Sequence, residues 1–116
     1  MSVEYQEARV RQIILNLRSQ VAALTTEITQ ISSKVPTDAV TAYEKLQNIF
    51  YPLLEEVVSI AKRIESLGDD YDITDLEMEY QNDALADALA LELELFRRII
   101  NIEDSIGIDI LRKEQE

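Results

Sequence analysis

The sequence predicts an all-α protein, an antiparallel up-down-up three-helix bundle formed by residues 1–116 as one domain. Three observations predict it. Apolar residues recur at the alternating three- and four-residue steps of helix seams along most of the chain. Two Gly and two Pro in 116 residues supply too few turns for an all-β chain. Val35-Pro36-Thr37 and Gly68 then divide the chain into pieces of similar length.

The first helix is expected over residues 3–34. Val3, Val10, Leu17, Leu24 and Ile31 recur every seven residues, and Ile14, Val21, Ile28 and Val35 form a second row four places on. A period of about 3.5 excludes a strand, whose side chains alternate. Val35 ends the helix because a residue before proline avoids the α region.

The second helix is expected over 38–67, with Thr37 as N-cap. Ala39, Tyr43, Leu46, Phe50, Leu53, Val57, Ile60, Ile64 and Leu67 alternate four- and three-residue steps. Pro52 lies inside that run, lacks an N–H and clashes with the carbonyl of Asn48. The same register holds on both sides, so one helix bent between Asn48 and Pro52 is expected. Gly68 is expected to supply a left-handed C-terminal residue.

The third helix is expected over 75–104. Thr74 and Glu77 form a capping box, Ile73 and Met78 a hydrophobic staple, and Asp75 suits the helix dipole. Arg97 and Arg98 suit the opposite end. Leu91–Leu95 alternates like a strand, but it is short and sits within an Ala/Leu-rich helical run. Gly107 reads as a break, followed by a short C-terminal helical segment or a bent continuation of the third helix.

The charge is lopsided. The net formal charge is −12, and residues 64–96 hold eleven acids and no Lys or Arg. The remainder has twelve acids against eleven bases, so the excess is local. Direct binding to nucleic acid or an anionic membrane is not expected, because like charges repel. No run is apolar enough to span a bilayer, and no secretory segment opens the chain, so a soluble, cytoplasmic protein is expected. Without Cys or His, disulfides, thiolate metal sites and imidazole bases are excluded. The loop containing Asp69, Asp70, Asp72, Asp75 and Glu77 fails the EF-hand pattern, with Asp75 where Gly is needed and Gln81 where Glu is needed. The one Glu-x-x-Glu pair, Glu4 and Glu7, is terminal. No catalytic residue, cofactor or metal ligand is assigned, and an enzyme is not expected.

Three candidate surfaces remain. Glu79, Asp83, Asp87 and Glu94 form an acidic ridge, rising about 6 Å per four-residue step, close to phosphate spacing along DNA. Glu92 and Glu103 fall on the apolar side of the third helix, beside Leu85, Leu89, Phe96 and Ile99. They read as a polar site inside the bundle, as partners of a cation such as Arg18 or Arg63, or as the seam between two apolar strips. The apolar arc of this helix spans roughly 220°, wider than one core face requires. The first helix carries few charges between Ser19 and Lys34. Ala22, Thr25, Thr29, Leu91, Leu95 and Ile102 are therefore the candidate oligomer face. The function expected is a non-enzymatic helical protein–protein interaction module that self-associates as a homo-oligomer. The alternative is an acidic mimic of nucleic acid, of the kind phages and mobile elements use, docking on a basic protein partner.

Overall fold

The computed structural model describes the backbone of residues 3–32 and 34–115, and the side chains of residues 9–32, 34–69 and 71–107. The protein is all-α. Its helices are α1 (Val3–Gln30), α2 (Ala39–Lys45), α3 (Tyr51–Glu65), α4 (Leu67–Asp70) and α5 (Asp75–Gln115), with a π turn at Leu46–Phe50 joining α2 to α3. α5 packs on both α1 and α3, and α1 also touches α3. Arg18 meets Asp87 and Arg98 meets Ile28, so α1 and α5 advance together. Gln81 meets Ile64 and Tyr51 meets Glu103, so α3 runs the other way. The helix–helix contacts are those of a helical bundle. Among the described residues, no helix is long and apolar enough to cross a membrane.

α1 buries the rows its spacing predicts: Val10, Ile14, Leu17, Val21, Leu24 and Ile28. It stops at Gln30, short of the expected residue 34. The Arg98 guanidinium donates to the carbonyls of Ile28 (3.2 Å) and Ile31 (3.4 Å), which a continuing helix would use itself. A tightened Ile31 N–H to Ile28 C=O bond of 3.1 Å closes the turn.

Asp38 replaces Thr37 as the observed N-cap of α2. Its carboxylate accepts from the N–H groups of Val40 and Thr41 and from the Thr41 hydroxyl. The expected disturbance before Pro52 takes the form of the π turn, which the Tyr51 N–H to Leu46 C=O bond closes. A widened turn eases the clash of the proline ring with the preceding carbonyls. It also rotates the chain upstream, so Ala42 faces the core in place of Tyr43, which is exposed. Beyond it, Phe50, Leu53, Val57, Ile60 and Ile64 are buried as the spacing predicts.

Gly68 does not adopt the left-handed conformation expected of it; it lies in α4, and no described residue has a positive φ. Thr74 caps α5, accepting from the Glu77 N–H at 3.3 Å, while the Thr74 carbonyl accepts from the Met78 N–H. Gly107 does not break α5, which runs unbroken for 41 residues, so there is no separate C-terminal segment. A lone glycine costs a helix only about 1 kcal/mol, too little to stop one by itself. A Cβ at Gly107 would meet nothing within 4 Å, so no neighbouring structure forces a turn there.

Candidate interaction surface

α5 carries two apolar seams. Ala84, Ala88, Leu91, Leu95, Ile99 and Ile102 are buried against α1 and α3. Leu89, Leu93, Phe96 and Ile100 stand on the outside, between 41% and 63% exposed. This outer set repeats the 4-3-4 step of a helix seam. At 3.6 residues per turn its centre lies about 130° around the helix from the inner one. The core therefore sits about 90° away from the expected centre among Leu85, Leu89, Phe96 and Ile99, of which Ile99 alone is buried. Ala84 and Ala88 are fully buried in this seam, beside the larger Leu91, Leu95, Ile99 and Ile102.

Leu91, Leu95 and Ile102 are thus core residues, not part of an oligomer face. Ala22, Thr25 and Thr29 on α1 are exposed, as that assignment requires. The hydroxyls of Thr25 and Thr29 donate to the carbonyls of Val21 and Thr25, four residues back.

The carboxylates divide differently from expectation. Glu92 is half-buried at the boundary between the two seams. Glu103 is exposed and accepts from the Tyr51 hydroxyl at 2.7 Å, so it is not a buried polar site. That bond, with partial burial and the Glu103 charge, holds the Tyr51 phenol above its ordinary pKa. Among the described residues the buried carboxylate is Glu77, at 2% exposure, and its Oε2 finds no hydrogen-bond partner among them. Glu77, Ala84 and Leu91 are seven residues apart. The seam register therefore pointed to Glu77, but its capping-box position drew attention to the helix start instead.

The acidic ridge is interrupted by bases. Asp87 meets Arg18 at 3.5 Å, and Glu94 meets Arg98 at 3.2 Å and Arg97 at 3.6 Å. Glu79 and Asp83 are exposed further up the helix. Among the described residues no group of three or more potential metal ligands gathers.

Arg98 ties these parts together, and sequence reading assigned it only to the α5 dipole. α1 has no basic residue in its own last turn, so Arg98 supplies a cation to its C-terminal carbonyls from across the bundle. Arg98→Ala is expected to lower stability by about 2 kcal/mol, since charge-assisted bonds to two carbonyls are lost. Arg98→Lys should recover part of it. Urea melts of the three proteins check this, and an unchanged midpoint for Arg98→Ala would refute the capping role.

The chain matches no known protein family, no characterised protein and no solved structure.

Proposed function

We propose that the protein is a non-enzymatic helical interaction module, working inside the cell, that receives a helix of another protein chain on the outer seam of α5. The observation that supports this is the seam itself. Four large apolar side chains stand exposed in 4-3-4 order on a helix that already carries a separate core seam. Scattered surface apolar residues need no explanation, but an ordered row of them presents a helix-binding face. Covering the exposed half of each such side chain contributes roughly 1 kcal/mol before the costs of association. The nucleic-acid-mimic reading has less support. Arg18, Arg97 and Arg98 neutralise the lower half of the ridge, where a phosphate surrogate would need free charge.

Leu93→Lys/Ile100→Lys tests the reading. Both sites are exposed, so the variant should fold as the wild type does, as circular dichroism will show. Wild type and variant are immobilised and offered an extract of the native host at low and high salt. A protein retained by wild type at high salt and lost by the variant is the expected result. Equal retention by both proteins overturns the reading. A captured protein that salt releases, and that Glu79→Lys/Asp83→Lys also loses, would transfer the function to the ridge.

A further inference from the structure

We infer that the occupant of the outer seam is a second copy of this chain, with the two α5 helices parallel and in register; this rests on reading the seam as a docking surface. Charge complementarity carries the inference. Leu89 and Phe96 occupy one row of the seam, and Leu93 and Ile100 the other, with Ala86 one heptad before Leu93. Glu92 flanks the seam on one side and Arg97 on the other. In a parallel pair, the residue just before one core layer faces the residue five places later on the partner helix. Glu92 then faces Arg97 of the second copy, and symmetry makes the contact twice. In an antiparallel pair, residues of the same flank face each other, so Glu92 and Arg97 cannot meet.

At one end of the seam a like-charge contact is drawn aside. One heptad past Phe96 stands Glu103, which would oppose itself in a parallel pair. The Tyr51 hydroxyl holds the Glu103 carboxylate toward α3, at 2.7 Å. Charge also argues for a copy over a basic partner. Across residues 85–100 there are three acids (Asp87, Glu92, Glu94) and two bases (Arg97, Arg98), so the seam region is almost neutral within a chain of net charge −12. A basic partner would be drawn elsewhere, to the uncompensated acids nearer the start of α5. Two whole copies repel at long range, and salt screens that repulsion. Self-association is therefore expected to hold or strengthen as salt rises.

Light scattering coupled to size exclusion, at micromolar concentration, should give twice the 13.3 kDa chain mass. Glu92→Arg and Arg97→Glu each place like charges across both contacts and should weaken the dimer on the order of tenfold. Mixing the two variants should reunite them as a heterodimer, and the double exchange Glu92→Arg/Arg97→Glu should restore the homodimer. Recovery in those two cases shows that the single variants remain folded. The chain has no cysteine, so Ile100→Cys adds a single thiol. In the parallel register it faces itself and should form a disulfide-linked dimer on oxidation. A dimer indifferent to the exchanges, or one in which Ile100→Cys does not cross-link, overturns the parallel pairing. A 13.3 kDa monomer overturns the second copy altogether. If that monomer still loses a host protein on Leu93→Lys/Ile100→Lys, the docking surface stands and its occupant is another protein.

Discussion

Phe50→Ala is expected to lower the free energy of unfolding by about 3–5 kcal/mol. Phe50 is 2% exposed and is the largest of the fully buried side chains. It is the last residue of the π turn, and Val35, Lys45, Arg98 and Ile102 border the same small cleft, so it stands where the end of α1, the α2–α3 helix and α5 converge. Removing the ring takes away its transfer free energy and leaves a cavity that three converging helices cannot easily close. Thr74→Ala gives the scale for comparison. It removes one N-cap acceptor, a 3.3 Å bond to the Glu77 N–H, and should cost about 1 kcal/mol. Denaturant melts of both variants decide the matter. Equal losses would show that Phe50 does not hold the junction.

The parts of this fold that sequence reading found are those with a single way to bury their apolar face. The seven-residue rows of α1 and the Leu53-to-Ile64 run of α3 each define one stripe, and both are buried. What sequence reading missed depends on choices made elsewhere in the molecule. Pro52 signals a disturbed helix, but its spacing does not say that one extra residue enters the turn, so Tyr43 was expected inside in place of Ala42. The end of α1 depends on Arg98, distant in sequence, taking its last carbonyls. α5 offers two stripes of matching period, and periodicity alone cannot rank them. The larger side chains of Leu89 and Phe96 drew the expected core toward themselves. The bundle instead buries the stripe containing Ala84 and Ala88, and Leu91, Leu95 and Ile102 lie on that stripe. The wide apolar arc was legible, but Glu92, a candidate buried polar residue, is only half-buried and lies between the two apolar strips, which was one of its alternatives.

Leu95→Ala and Leu93→Ala, two residues apart, should behave as opposites. Leu95 is 0% exposed and packs in the inner seam, so its truncation is expected to cost about 2–5 kcal/mol of monomer stability. Leu93 is 63% exposed, so its truncation should leave monomer stability within about 0.5 kcal/mol of wild type. Alanine also suits a helix at least as well as leucine, which removes propensity as a confounding cost. The comparison must be made at a concentration low enough to keep the chain monomeric, since association stabilises whatever it binds. At higher concentration the order changes. Leu93→Ala should then lose the concentration-dependent rise in melting temperature that wild type shows, because it removes apolar area from the outer seam alone. Leu95→Ala should keep that rise on top of a lower baseline. A Leu93→Ala chain that is destabilised as a monomer would place the outer seam inside the fold and leave α5 with no free face to offer a partner.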